Sequence, residues 1–323
     1  MNKVLTLTLN PAIDLTVRLD ALVPGAVHRA RGQQLEAGGK GVGVASVLAG
    51  LGVPVAAAGW LGADNAALFE AAFAARGIAD RMVRVPGATR TNLKLADAAR
   101  GDSTDVNLPG IALDAPALAQ ATAQLRAVLR AQLAPGDWCV LAGSLPPGVG
   151  ADLYLQLAQD VAACGAHLVL DTGGALLGQV LDGLRRAAPQ ALPAFLKPNR
   201  AELEEFAGRP LGDVPALARA AQGLCALGVR QVVVSLGADG AALAGAGGLW
   251  HATPPKVPVA TTVGAGDALV AGTLAAFCEG RGFPEAAVFG MACAAARVQR
   301  IAATLPPRAA IDTLAGQVRL SPL

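Results

Sequence analysis

Six short apolar runs, with stretches long enough for helices between them, limit the folds open to this chain more than any other feature. They lie at Lys3–Leu9, Val53–Gly59, Trp138–Ala142, His167–Asp171, Ala194–Lys197 and Gln231–Leu236, and turn residues bound them. Near-continuous apolar runs of this length fit strands buried on both faces. Their alternation with helical segments predicts an α/β fold, in which a mostly parallel sheet is covered by helices on both sides. Two segments break the alternation, residues 11–37 and 86–110. There Leu15-Thr16-Val17-Arg18-Leu19 and Thr91-Asn92-Leu93-Lys94-Leu95 alternate apolar and polar residues, as half-exposed antiparallel strands do. No charged, Ser-rich or low-complexity linker divides the chain, so residues 1–323 are expected to form one domain.

Composition narrows the function classes. The chain is 53% hydrophobic and 15% charged, and the apolar excess is largely alanine, which suits tightly packed helices on a sheet. Net charge is +2 and no basic run interleaves with aromatics, so no nucleic-acid partner is expected. The uncharged stretch 41–63 is long enough to test as a membrane span, but Gly50, Gly52, Pro54 and Gly59 break it into helix, turn and strand. The start of the chain lacks a signal-peptide pattern. Five dispersed cysteines without a C-x-x-C pair predict reduced thiols and a cytoplasmic protein rather than disulfides or zinc.

Open parallel sheets gather ligands beyond the carboxyl ends of their strands, and Asp14, Ser144, Asn199 and Ser235 each lie just past one of the six runs. The segment Thr262-Val263-Gly264-Ala265-Gly266-Asp267-Ala268 adds a glycine turn, a carboxylate and the start of a small-residue helix. Gly264 and Gly266 let backbone N–H groups face an anion at the positive end of that helix. Asp267 stands beside the cradle, placed to take a proton from a hydroxyl that attacks phosphorus. An N-cap Asp in an ordinary loop would look the same at this level. A second glycine turn, Gly38-Gly39-Lys40-Gly41, opens an apolar helix but lacks the Ser or Thr after Lys that a P-loop needs. Lys197-Pro198-Asn199-Arg200-Ala201-Glu202 puts Asn199 and Glu202 one helical turn apart, which fits either a metal pair or a capping box. Ser235-Leu236-Gly237-Ala238-Asp239-Gly240 reads as a strand end with a glycine-rich turn.

Together with Thr8-Leu9-Asn10-Pro11-Ala12-Ile13-Asp14 and Leu141-Ala142-Gly143-Ser144-Leu145-Pro146, these segments occur in the order seen in the ribokinase-like (PfkB) sugar kinases. The chain resembles that family over residues 8 to 267, and its 1-phosphofructokinase and tagatose-6-phosphate kinase branch in particular. Thr89-Arg90-Thr91-Asn92-Leu93-Lys94 and Thr104-Asp105-Val106-Asn107 are similar to segments of the 1-phosphofructokinases. The resemblance implies transfer of the γ-phosphoryl group of ATP, with Mg²⁺, to the C6 hydroxyl of fructose 1-phosphate. It implies Asp267 as general base with Gly264, Ala265 and Gly266 as the anion cradle. Asp14, Gly38, Gly39, Lys40, Arg90, Asn92, Lys94 and Ser144 would bind the sugar phosphate, with Arg90 and Lys94 facing its phosphate. Lys197, Asn199, Ser235, Gly237 and Gly240 would line the nucleotide, Asn199 and Glu202 would organise the metal, and residues 257–262 and 292–296 would flank adenine.

By the same resemblance, segments 11–37 and 86–110 form a β lid over the sugar, and two lids pair as a homodimer. Kinases of tagatose 6-phosphate or fructose 6-phosphate, and a non-catalytic sugar-phosphate sensor, are the alternatives. One position departs from the pattern. The branch has an Asn, a sugar contact in relatives, where this chain has Gly43. Either a water or neighbouring side chain replaces that amide or the pocket is reshaped for another substrate; if the chain acts on fructose 1-phosphate, Gly43→Asn is expected to improve kcat/KM for it.

Overall fold

A computed structural model describes residues 2–300 and 304–323. The chain opens with strands β1 (Val4–Thr8), β2 (Ala12–Leu19) and β3 (Gly32–Gly38), then helix α1 (Lys40–Gly50) and β4 (Val55–Gly62). Helix α2 (Ala67–Arg76) leads to β5 (Ala79–Val85), β6 (Thr91–Asp97) and β7 (Asp102–Val106). Strand–helix alternation follows through α3 (Ala115–Gln132), β8 (Trp138–Ala142), α4 (Ala151–Ala163), β9 (His167–Asp171), α5 (Gly174–Ala187) and β10 (Phe195–Leu196). Helices α6 (Arg200–Ala207) and α7 (Val214–Ala226) precede β11 (Gln231–Ser235), β12 (Ala241–Gly245) and β13 (Gly248–Thr253). The chain closes with α8 (Ala265–Cys278), α9 (Phe283–Val298), α10 (Arg308–Ala315) and β14 (Arg319–Pro322).

The main sheet has ten strands in the order β14-β13-β12-β11-β10-β9-β8-β1-β4-β5. All neighbours from β11 to β5 run parallel, and β12 to β14 extend the sheet antiparallel. Side-chain alternation splits the core into two layers. Val140 and Ala142 of β8 face the layer holding α1, α8 and α9, while Cys139 and Leu141 face the layer holding α3 to α7, and all four are fully buried. This is the three-layer arrangement that the six apolar runs predict, and each run overlaps one of the parallel strands. Strand β5 and the antiparallel edge went unread because Ala79–Val85 carries Asp80, Arg81 and Arg84, and the edge strands are short and glycine-bounded.

The second sheet has the order β3-β2-β6-β7. Its hairpins are antiparallel as expected, but β2 and β6 pair in parallel, because they come from separate parts of the chain. Register puts Glu36, Asp14 and Asn92 in one row, and Leu35, Leu15, Leu93 and Val106 in the adjacent row on the opposite face. The stretch 41–63 is α1, a turn and β4, and no helix among the described residues is long and apolar enough to cross a membrane.

Candidate active site

Strand β1 pairs with β4 on one side and β8 on the other, so the strand order reverses at its carboxyl end and a crevice opens there. A cavity of about 870 Å³ fills this crevice, between the main sheet, the second sheet and the N-termini of α1 and α8. Two glycines make its walls feasible. At Gly39, φ is 118° and a Cβ would fall 2.9 Å from Thr8 Cγ2 and 3.2 Å from Pro11 Cα, so only glycine turns the chain from β3 into α1. At Gly264, φ is 77°, which aims the start of α8 at the cavity.

Helix α8 has no side-chain cap. Its first N–H, on Ala265, donates to Thr262 O at 3.3 Å, and the next intrahelical acceptance runs from Ala268 N–H to Gly264 O at 2.9 Å. The N–H groups of Gly266 and Asp267 have no intrahelical acceptor and, unlike that of Ala265, are free to meet an anion. On the second sheet, Asn92 Nδ2 donates to Asp14 Oδ1 at 3.2 Å, while the buried Asn92 Oδ1 has no partner. An unmatched acceptor beside a carboxylate is a place for a hydroxyl-rich ligand. Burial pushes the Asp14 carboxyl above its usual value, against the pull of the Asn92 hydrogen bond. Ser144 Oγ accepts from Asn10 Nδ2 at 3.1 Å on the facing wall.

A buried charge cluster lies beneath α8. Asp171, at the end of β9, is met by Lys40 Nζ and Lys197 Nζ, both 3.4 Å from its Oδ1. Burial favours the neutral acid, but the two ammonium groups win and hold Asp171 below the ordinary carboxylate range. Asp267 goes the other way. Enclosure by protein and the negative charge of Asp171 push it up to about 7, although Lys197, Lys40 and Arg297 pull it down. A carboxylate poised near neutrality is what general-base chemistry asks for.

The structure brings Asp14, Gly38, Gly39, Lys40, Arg90, Asn92, Ser144, Gly264 and Asp267 to the wall of one cavity. Lys94 is not on that wall. It shares the face of Asp14 and Asn92 but turns to Asp105 across the β6–β7 hairpin at 3.7 Å. Arg90 is there, but not on a strand with Lys94 as the alternation implies; it precedes β6, and its guanidinium donates to Leu108 O (2.8 Å), Asn10 O (3.0 Å) and Pro11 O (3.3 Å). Asn199 and Glu202 form both arms of a capping box on α6, at 2.9 and 2.8 Å, which leaves Glu202 Oε1 directed at Lys40 Nζ 3.9 Å away. Ser235, Gly237 and Gly240 lie off the cavity, at the turn between β11 and β12. Gly240 is needed there because a Cβ would run into Ala252 O of β13. Of the expected adenine flank, Ala292 and Ala296 are consumed in helix packing.

Gly43 of α1 packs against Asp267. A Cβ on it would fall 3.0 Å from Asp267 Cγ and collide with Oδ2, so the base leans into the space a side chain would fill. A side chain placed there would meet the carboxylate unless Asp267 turned aside. Among the wall and floor residues that sequence reasoning missed, two carry charge into the centre of the site, Asp171 and Arg297. Asp171 ends an apolar run, a signal that was present but carried no motif. Arg297 is the one basic residue of α9, an apolar helix that an alanine-rich pattern marks as core.

A half-buried carboxylate held near neutrality beside a helix N-terminus with free N–H groups, over the switch point of a parallel sheet, defines a class: an α/β protein built for phosphoryl chemistry. Residues 7–310 match the family described as pfkB family carbohydrate kinase, and the chain belongs to that family. It is 48% identical over 275 residues to a 1-phosphofructokinase of Xanthomonas campestris pv. campestris, covering 85% of this chain and 84% of the relative. It is 43% identical over 321 residues to a 1-phosphofructokinase of Rhodobacter capsulatus, covering 99% and 98%. Among solved structures it is similar to phosphofructokinase-2 of Escherichia coli in complex with fructose-6-phosphate, with TM-score 0.86, 26% identity and coverage of 98% and 99%.

Proposed function

We propose that this chain transfers the γ-phosphoryl group of ATP to the C6 hydroxyl of fructose 1-phosphate, giving fructose 1,6-bisphosphate and ADP. The observation that carries the reading is Asp267, raised to about 7 and set beside the free N–H groups of Gly266 and Asp267 at the mouth of α8. The sugar oxygen attacks the γ-phosphorus, its proton passes to the Asp267 carboxylate, and the bond to the β-phosphate oxygen breaks to release ADP. Asp14 and the unmatched Asn92 Oδ1 receive sugar hydroxyls, and Arg90 and Ser144 border the sugar end. Lys197, with its ammonium about one atomic contact from Gly266, and the turn at Ser235, Gly237 and Gly240 take the nucleotide phosphates.

The donor set suits Mg²⁺ held through water. No group of three His, Cys, Asp or Glu side chains among the described residues could cage a metal, yet Asp171 Oδ2 is buried without a partner and Glu202 Oε1 lies outside the capping box. One or two carboxylates plus waters and substrate phosphates is the usual magnesium arrangement. When bound with ATP the ion would spread the charge of the phosphate oxygens, and Asp171, Glu202 and, through its cap, Asn199 would orient it.

The whole chain serves one site, since its walls draw on residues from Thr8 to Arg297, and the second sheet acts as the lid. Its apolar face, where Leu35 is 50% and Val106 42% exposed, supports pairing of two lids in a homodimer. Five unpaired thiols support a cytoplasmic enzyme. A coupled ADP-release assay across fructose 1-phosphate, fructose 6-phosphate, tagatose 6-phosphate and fructose tests the assignment. Preference for fructose 1-phosphate upholds it; preference for a 6-phosphate moves the substrate, and no turnover on any of them leaves a sugar-phosphate sensor.

A further inference from the structure

The mechanism above gives Arg297 no task, yet its placement is costly without one. Its side chain is 6% exposed at the end of α9 and lines the cavity together with Gly43, Val263, Gly264 and Asp267. It lies directly over the start of α8: a Cβ on Gly264 would sit 3.2 Å from its Nε and 3.7 Å from its Nη2. Glu36 and Asp267 act on it through space, but neither forms an ion pair with it among the described residues. Its one protein acceptor among these residues is Arg300 O, 2.5 Å from Nη1. A guanidinium carries five N–H donors and keeps its charge at any physiological pH. Enclosing it without a bound anion is therefore unfavourable, and the free edge made by Nε and Nη2 borders the cavity beside the anion cradle.

We propose that Arg297 is a catalytic residue that binds the phosphoryl group in flight between ATP and the sugar hydroxyl. This rests on the kinase reading above. Two observations place the phosphoryl group there rather than the phosphate already on the sugar. The Nε–Nη2 edge lies over Gly264, the N-cap residue just before the cradle N–H groups, and the charge of Arg297 is felt by Asp267, which must stand next to the reacting hydroxyl. A phosphate carried on the far end of the substrate has to lie away from both. Nε–H and Nη2–H form a parallel pair that matches two oxygens of a planar phosphoryl group, whose charge spreads over its three equatorial oxygens in transit. The bonds made and broken are those of the transfer itself; Arg297 neither gains nor loses a proton.

The test compares the full-length wild type with Arg297→Gln and Arg297→Lys. Wild-type turnover on the four-sugar panel is scored first, so an inactive wild type overturns the kinase reading, whereas an active wild type matched by Arg297→Gln overturns this inference alone. Removal of one such donor lowers kcat by about 10² to 10³, and this loss is expected in Arg297→Gln with KM for fructose 1-phosphate within threefold of wild type. A second readout is the affinity for ADP with fructose 1-phosphate present, measured by calorimetry with and without fluoroaluminate, a mimic of the planar phosphoryl group. Fluoroaluminate should tighten ADP in the wild type and fail to do so in Arg297→Gln. If the glutamine variant does not fold, Arg297→Lys decides, since it keeps the charge and loses the fork; a tenfold or greater fall in kcat supports the proposal. Wild-type kcat in either variant overturns it, as does a raised KM for fructose 1-phosphate with kcat unchanged, which would assign Arg297 to the resident phosphate.

Discussion

Adding a single methyl group at Gly43 should disable the base without unfolding the protein. A Cβ there would fall 3.0 Å from Asp267 Cγ and 3.3 Å from its Cβ, while overlapping Oδ2. To restore ordinary contact the carboxylate must withdraw by about 1 Å, a misplacement that costs roughly 10²-fold when a reacting group is involved. Stability moves less, because two effects oppose. Alanine favours a helix over glycine by about 1 kcal/mol, and forcing a methyl into a filled space costs about 1–3 kcal/mol. The carboxylate is the far end of a side chain with freedom to rotate, which keeps the cost at the lower end and places the damage in position rather than in folding. We therefore expect Gly43→Ala to lower kcat by about 10- to 100-fold, with KM for ATP little changed and Tm within a few degrees of wild type. Gly43→Asn should be worse. Steady-state kinetics beside a thermal melt reads this directly, and a Gly43→Ala enzyme whose kcat stays within threefold of wild type would show that Asp267 tolerates displacement or is not the base.

Four further outcomes are expected. Asp267 must be ionised to accept a proton and its carboxyl is raised to about 7, so kcat/KM should fall about tenfold per pH unit below 7 and level off above it; a profile flat down to pH 5 contradicts the assignment. Asp267→Asn should lose about 10² to 10⁴ in kcat while keeping nucleotide affinity by calorimetry. Lys94→Ala should leave KM for fructose 1-phosphate within threefold of wild type because Lys94 is turned to Asp105, whereas Arg90→Ala should raise that KM and also lower Tm, since Arg90 ties three backbone carbonyls together. Gly290→Ala should lower Tm by several degrees: a Cβ there would fall 2.6 Å from Leu269 O and into Thr273 Oγ1, forcing α9 off α8 at a cost of about 1–3 kcal/mol or more.

What could be read in the chain before its structure follows from how each signal is encoded. The parallel strands were legible because burial on both faces writes a continuous apolar run, as in Trp138–Ala142. Strand β5 was not, because its position at the sheet edge admits Asp80 and Arg84, which pair with each other at 2.6 Å. Asp267, Gly264 and Gly39 were legible because a tight turn beside a carboxylate needs glycine in sequence as well as in space. The partnership of Lys40, Lys197 and Asp171 was not, since it joins three strand ends far apart in the chain, and neither was the capture of Lys94 by Asp105. Gly43 shows the limit most plainly. A missing side chain reads as a lost contact until the neighbour that occupies its volume is known.

The cavity wall draws on residues from Thr8 at one end of the chain to Arg297 near the other, across strands of two separate sheets. Contacts of such long separation form late, because the loops they close must be ordered first. Catalytic competence is then a report on the final step of folding: during refolding, helical signal should return well before turnover, and the interval between them times the docking of α8 and α9 onto a sheet that has already formed.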